Sequence, residues 1–425
     1  MTANRRGRKV GPVALLLALF VIAVVAQAAP AQQAGEYRWY KGNVHTHSFW
    51  SDGDDFPEMA AERYKSNGYD FLSITDHNGL SRGEKWITVS AGVAAAMEKC
   101  KARFGPEWIQ TRRQGEKTEV RLKTLPEVRE KLAEPGKFLL IEGQEITTTV
   151  HINVLNLDRV IKPVKAASAA ESIRVNVQAA HDTERQVGKT AYVQLNHPHF
   201  ARGVTVEEMA EAQMLSAVEV VNFHPSCGRV EREWDIVNSL RISRGLAPLR
   251  GSATDDAHSY HKEGPSLANP GRGFVMVRAS ALTADAITEA MKRGDFYASC
   301  GVILSRLEYD PNQGVLRVEV RAEPAVEYTI EFIGTLRGAD LTTRPAADGK
   351  DAPAPKGGKS GTYGQDVGKI LHSIKGTSAQ YKLTGRELYV RASIRSTKPL
   401  ANPSRLPPPL QEAYTQPVGW EKHRL

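Results

Sequence analysis

The chain has 425 residues, 41% of them hydrophobic and 24% charged, a balance that supports a substantial core, excludes wholesale disorder and leaves room for two domains. Its formal net charge is +8, but residues 1–31 carry Arg5, Arg6, Arg8 and Lys9 and no acid, so without them 52 basic residues face 48 acidic ones, a surplus of +4. That surplus gives no ground for specific nucleic-acid binding and does not repel a phosphate-bearing substrate.

The first stretch reads as an export signal. A basic start, Arg5–Lys9, precedes the uncharged run Val13–Ala26 and then small residues, Ala26-Gln27-Ala28 or Ala29-Pro30-Ala31. The run is short for a membrane span and has a cleavage-type flank. Residues 1–31 are therefore expected to be a removable signal peptide, which leaves a periplasmic or secreted protein with no stable membrane span; an uncleaved N-terminal anchor is the alternative. The Arg5-Arg6 pair matches a twin-arginine signal only weakly. Cys100, Cys227 and Cys300 are far apart and in no CxxC pair, so they form no zinc knuckle and allow at most one intrachain disulfide.

After an aromatic, extended run, Tyr37–Tyr40, comes Gly42–Gly53, GNVHTHSFWSDG. His45 and His47, at i and i+2, share one face of a strand and can approach a single cation. Phe56–Asn67 is predicted as a helix, with Pro57 in its first turn and Gly68 closing it. Phe71–Ile74 is a short buried strand ending at Thr75-Asp76-His77. Ala91–Arg103 reads as a helix, and the charged stretch Arg112–Lys123 as a solvated excursion. Strands follow at Phe138–Ile141, running into Glu142-Gly143-Gln144-Glu145, and at His151–Leu157. Ala166–Val187 is helical, Tyr192–Leu195 a strand, Val206–Met214 a helix, Val218–Val221 a strand and Arg229–Ser243 a helix. Pro248–Ser252 is a strand leading to Asp255-Asp256-Ala257-His258, and Gly273–Val277 with the helix Thr283–Arg293 completes the pattern. Strand then helix, repeated, predicts an α/β domain with parallel strands. No GxGxxG or GxxxxGK[ST] follows any strand, which excludes dinucleotide and P-loop sites.

Beyond residue 302, Leu316–Val320, Tyr328–Phe332 and Leu388–Ile394 alternate like half-buried strands. Gly338–Gly364 between them is rich in Gly, Pro, Ala, Lys and Asp, as in a long loop. Residues 302–425 are expected to form a small all-β domain after the α/β domain of 37–300.

The chemistry-bearing residues fall at strand ends: His45, His47 and Asp52, then His77, Glu145, His151, His197, Asp256 and His258. In parallel α/β folds, sites are built at that edge of the sheet. Imidazole and carboxylate without thiolate suit Zn, Mn or Fe. Neighbouring cations acidify a shared water and stabilise charge on a transferring oxygen.

HTHSFWSDG at 45–53, TDHN at 75–78, GQE at 143–145 with HINVLNL at 151–157, NHP at 196–198 and DAH at 256–258 together resemble the PHP (polymerase and histidinol phosphatase) superfamily of metal-dependent phosphoesterases. The resemblance covers roughly residues 37–300. It implies a distorted, TIM-like (β/α)7 barrel holding two or three divalent metal ions. By that resemblance His45, His47, Glu145 and Asp256 hold one ion, Glu145, His151 and His197 a second, and Asp52, His77 and His258 a third. It also favours His77 over Asp76 as ligand, with Asp76 orienting it; the D-x-H spacing selects Asp256 over Asp255.

His199, His224 and Arg202 are candidates to contact substrate or protonate a leaving group, and each has a structural reading beside the functional one. His261 belongs at the rim; His181 and His423 read as surface residues, and Arg112, Arg113 and Lys117 as a solvated face. The expected function is hydrolysis of a phosphate mono- or diester in a small phosphorylated substrate by a metal-bound hydroxide. The alternatives are an amidohydrolase acting on a C–N bond and a non-catalytic, metal-stabilised binding protein.

Overall fold

The computed structural model describes residues 1–2, 37–200, 203–344 and 360–423. The export-signal reading, Arg202 and much of the Gly338–Gly364 loop lie outside the described residues. Within the described residues no helix is long and apolar enough to cross a membrane.

A mixed sheet organises residues 36–425, which make one compact unit. Its order runs from Arg250–Thr254 through Ala217–Asn222, Tyr192–Leu195, His151–Leu155, Leu139–Thr147, Phe71–Ile74 and Arg38–Asn43 to Phe274–Ala279 and Phe296–Ser299. Arg38–Asn43, Phe71–Ile74 and Leu139–Thr147 run parallel, as do Tyr192–Leu195, Ala217–Asn222 and Arg250–Thr254. The expectation of parallel strands holds for these six and fails at two others. His151–Leu155 is antiparallel to both neighbours, and Phe274–Ala279 is antiparallel to Arg38–Asn43 and Phe296–Ser299. Only Thr148, Thr149 and Val150 join Leu139–Thr147 to His151–Leu155, far too few for the crossover that a parallel pair needs.

Helices cover the strands for local reasons. Ala284–Arg293 starts where the Thr283 hydroxyl accepts from Ala286 N and stops where Gly294 turns left-handed at φ 87°. Its Ile287, Ala290 and Met291 are buried against Phe71, Val275 and Phe296. The strand row also curls back on itself. Asp256 N donates to His45 O at 3.0 Å, and Thr46 bridges Ala257. At Gly273 a Cβ would lie 2.7 Å from the Thr254 carbonyl oxygen and 2.8 Å from the Phe223 ring, so only glycine admits that approach.

The C-terminal region is β-rich, and it continues the main sheet edge to edge. Leu410–Thr415 pairs with Phe296–Ser299, in register Tyr297 to Thr415 and Ser299 to Ala413, and leads on to Glu387–Pro399, Tyr328–Leu336 and Lys369–Lys375. A separate three-stranded sheet, Leu304–Asp310, Val315–Val320 and Ser378–Lys382, buries Leu316 and Val318 in the same core as Phe332 and Ile394. Arg391 reaches from this region to the Glu231–Ser243 helix. It holds both carboxylate oxygens of buried Asp235, at 2.7 and 2.6 Å. The Arg112–Lys123 excursion is itself folded, with Thr111–Gln114 and Lys117–Arg121 forming a small sheet with Trp86–Thr88. Arg112 and Arg113 stay exposed on it. Cys100, Cys227 and Cys300 are all free thiols.

Candidate metal centre

The curl of the sheet carries the polar strand ends into one cluster. His45 and His47 follow Arg38–Asn43, His77 follows Phe71–Ile74, and Glu145 sits inside Leu139–Thr147 two residues from its end. His151 opens the next strand, while His197 and Asp256 each stand two residues past theirs. His197 and Asp256 have left-handed backbones, φ 24° and 49°, a conformation that costs about 1–3 kcal/mol for such residues and concentrates at functional sites.

Around His45 the geometry is tight. Its Nδ1 lies 2.6 Å from Glu219 Oε1, and an ionised carboxylate only accepts, so Nδ1 carries a proton and Nε2 is the nitrogen left to face a cation. That Nε2 is 3.2 Å from each of Glu145 Oε1, Asp256 Oδ1 and His47 Nε2. Asp256 Oδ1 is also 3.2 Å from His47 Nε2, and His197 Nε2 is 3.3 Å from Glu145 Oε1. On the outer side, Asp52 reaches His77 Nε2 at 3.3 Å, His258 Nε2 at 3.4 Å and His47 Nδ1 at 3.5 Å. His151 Nδ1 is 3.1 Å from Glu145 Oε1.

Among the described residues, four groups of atoms are close enough to share an ion: His45, His47 and Asp256; His47, Asp52, His77 and His258; His77, Glu145 and His151; and His45, His197 and Glu219. All nine sequence-derived ligand positions are therefore brought together. The groupings differ in detail from those the resemblance implies, since His47 joins the Asp52 group and His77 the Glu145–His151 group.

The donor set fits divalent cations. Bonds of about 2.0–2.2 Å from one ion to nitrogen and oxygen put neighbouring ligand atoms roughly 3.0–3.4 Å apart, the spacing found here. Lone pairs facing lone pairs at that distance repel unless a cation or extra protons lie between them. Glu145 Oε2 is buried without a hydrogen-bond partner. His77 Nδ1 comes within 2.7 Å of it, but that nitrogen's hydrogen bond goes to Thr147 Oγ1 at 2.6 Å. Burial pushes the Glu145 and Asp256 carboxyls up, yet the positive charge of the surrounding imidazoles, His45 foremost, holds both well below their ordinary range. Against its own burial, Asp256, Glu219 and Glu145 raise His45 well above the usual imidazole range, so a second proton on its Nε2 stands where a cation would. Burial wins at His47, which is lowered despite Asp256 beside it.

Supporting residues fix these orientations. Asp76 accepts from Ser48 N, Ser48 Oγ and Ser51 Oγ, and the Ser51 hydroxyl lies 3.2 Å from His47 Nδ1. Asp255 accepts from Gly271, Arg272 and Gly273 amides and from Tyr64 OH, a structural role beside the candidate ligand Asp256. Tyr260 OH meets Thr46 Oγ1 at 2.6 Å and donates to His47 O at 2.7 Å.

Glu219 escaped the sequence reading. Fully buried, it accepts from Thr254 Oγ1, Gln194, Asn222 and His197 N besides His45. The signal was present, since Glu219 is the one acid inside the apolar run Ala217–Val221.

The cluster opens into a cavity of about 340 Å³ whose wall includes His224, Cys227, Phe200 and Leu267. A larger cavity, about 580 Å³, lies between helix Ala169–Val187 and residues 208–215; it shares no wall residue with the cluster and has no histidine. His224 Nδ1 accepts from Ser226 N at 3.2 Å, and its ring meets His258 edge-on at 5.4 Å. His199 is exposed beside Glu233, off the cavity wall. His261 binds Asp54 O outside the cavity, His181 pairs with Glu184 on its helix, and His423 binds Glu387 O.

Arg272 braces this wall from behind. Buried to 1% exposure, it donates to the carbonyls of Leu267, Gly264, Phe223, Asn402 and Pro403. It thereby ties the loop carrying Leu267 and the strand end carrying His224 to the C-terminal region.

No family model matches the chain, and no curated protein matches it. Among solved structures, one similar chain is a two-domain protein from Bacteroides vulgatus ATCC 8482 described as containing a predicted PHP-like metal-dependent phosphoesterase. It is 15% identical, and the match covers 90% of this chain and 96% of that one with a TM-score of 0.40. Another, from Bifidobacterium adolescentis ATCC 15703 and described as a metal-dependent phosphoesterase, is 14% identical over 52% of this chain and 88% of that one, with a TM-score of 0.28.

Proposed function

We propose that this chain is an exported, metal-dependent phosphoesterase of the PHP type, acting on a small phosphate mono- or diester. The observation that carries the reading is the convergence of Glu145, Asp256 and His47 ligand atoms on His45 Nε2, whose ring is oriented by the Nδ1 hydrogen bond to Glu219. Two or three divalent ions (Zn, Mn or Fe) would be held by His45, His47, Asp52, His77, Glu145, His151, His197, Asp256 and His258. Bound there, such ions supply Lewis acidity that lowers the pKa of water and neutralises phosphoryl charge. In this reading the curled strand row is the family's distorted (β/α)7 barrel, and the C-terminal β region buttresses its wall through Arg272.

The chain's own residues set the remaining chemistry. Because His224 Nδ1 accepts the Ser226 amide hydrogen, its proton is on Nε2, and the neutral ring can donate a hydrogen bond to a phosphoryl or departing oxygen in the cavity. In this reading His224 takes the donor role, since His199 is not on that wall, and Arg202 is kept as an expected phosphate contact. No covalent intermediate is expected. Leu267, Ala268 and Phe200 on the cavity wall limit water access around the reacting group.

The test is hydrolysis of phosphomonoesters, phosphodiesters and amides by the purified chain, metal-loaded and chelated. Ester hydrolysis lost both on chelation and in His45→Ala is expected. Hydrolysis that survives both overturns the reading; amide cleavage without ester cleavage moves the chain to the C–N hydrolases, and a tightly metallated, inert protein makes it a binding protein.

A further inference from the structure

Beside the cluster cavity lies a second one of about 200 Å³. The two share His151, His197 and Phe200, so the second opens directly off the side of the metal centre that those histidines occupy. Its outer wall is largely apolar, made by Val150, Pro198 and Val204 with the side chains of Thr148 and Thr149. Two of its polar side chains are already bonded, while Thr149 Oγ1 is buried without a partner. Thr148 Oγ1 bonds Ser172 Oγ at 2.6 Å, and Asn196 Nδ2 donates to Glu145 Oε1 at 2.7 Å. Phe200 stands at the junction, its ring edge-on to His197 at 5.1 Å and to His151 at 5.8 Å. An apolar cavity of about 150 Å³ already accepts benzene, so this volume suffices for one six-membered ring, which would lie against Val150, Pro198, Phe200 and Val204. Apolar walls a few ångströms from a highly polar cluster suit a substrate with a charged head and an apolar substituent, since each part then meets its own kind of surface.

We propose that this side cavity is a specificity subsite for a single phenyl-sized, apolar substituent of the ester, with Phe200, Val150 and Val204 as its recognition surface. The proposal rests on the phosphoesterase reading for the head group alone. The subsite places the ring on the His151–His197 side and leaves the cavity near His224 and Leu267 for the rest of the substrate.

The experiment compares binding of phenylphosphonate and methylphosphonate to the Mn²⁺-loaded full-length chain by calorimetry, which needs no turnover. Phenylphosphonate should bind at least about tenfold tighter, as a buried apolar group of this size commands in a fitted pocket. Val204→Phe, which fills the cavity, should erase that preference while metal content stays at the parent value; Thr148→Phe, from the less buried part of the wall, gives the same readout should the first variant fail to fold. Equal affinities, or a preference that survives both fillings, overturn the subsite. Binding of neither phosphonate overturns the phosphate reading, and the ring preference is then read from turnover of phenyl against methyl acetate, where no difference overturns the subsite as well.

Discussion

Glu219 offers a direct test of how the cluster is held, through Glu219→Gln. Its two oxygens accept five hydrogen bonds: Oε1 from His45 Nδ1 at 2.6 Å, Thr254 Oγ1 at 2.7 Å and Gln194 Nε2 at 3.3 Å, and Oε2 from His197 N at 2.7 Å and Asn222 Nδ2 at 2.9 Å. An amide must place its NH2 at one of these two positions. Turned toward His197, it opposes a backbone N–H that cannot reverse. Turned toward His45, it drives the ring proton to Nε2 and removes the lone pair facing Glu145 and Asp256. Either way at least one charge-assisted hydrogen bond is lost, worth about 1.5–3 kcal/mol, the same size as the ~10–100-fold loss of metal affinity that follows removal of a carboxylate behind a ligating histidine. Metal titration against a competing chelator, with circular dichroism to confirm the fold, should show affinity falling by that factor. A Gln variant that is folded and binds metal as tightly as the parent would refute the assignment of the His45 proton.

Further expectations follow from the same contacts. Arg391→Met strands the buried Asp235 carboxylate and should cost about 3–5 kcal/mol in urea denaturation, whereas adding Asp235→Leu should recover most of it; a single variant as stable as the parent contradicts the pair's role. The Asp55 carboxyl is pushed up to about 7, chiefly by burial. Its folded pKa lies above the unfolded one, so its contribution is full below about pH 4 and is lost as pH rises through 7; Asp55→Asn should flatten the melting temperature between pH 5 and 8. Arg272→Lys keeps the charge but loses the planar fork. Amides in the Gly264–Asn269 loop should then exchange hydrogen faster and KM should rise more than kcat falls; unchanged exchange would show that the carbonyls do not depend on the guanidinium.

The strands that carry ligands were legible because short apolar runs end abruptly in polar motifs: Phe71–Ile74 and Tyr192–Leu195 have the same limits in sequence and structure. Direction was less legible. The helix–strand rhythm suggested parallel strands, and the hairpin into His151–Leu155 is set by a three-residue connection rather than by any apolar pattern. Leu410–Thr415, LQEAYT, reads as polar behind a proline-rich tail, and its last four residues are buried in a strand flanked by Phe296–Ser299 and Glu387–Pro399. Arg112–Lys123 looked like a solvated excursion because its charged faces dominate, while the pairing of Lys117–Arg121 with Trp86–Thr88 depends on contacts distant in sequence. Among the site residues, the candidate metal ligands stand out by type and spacing. Glu219, Tyr260 and Arg272 act through groups elsewhere in the chain, and nothing local marks them beyond one acid in an apolar strand.

The pairing of Phe296–Ser299 with Leu410–Thr415 also constrains biosynthesis. Sheet partners more than a hundred residues apart form late, because the chain between them must be gathered before the ladder yields any stabilisation. Asn402 and Pro403, which meet Arg272 behind the cavity wall, are synthesised only shortly before that strand. A growing chain therefore carries all nine ligand positions well before the wall behind them can be braced, and for that interval the incomplete sheet edge at Phe296–Ser299 is open to wrong partners. Chains stopped short of residue 400 should accumulate as metal-competent but aggregation-prone fragments.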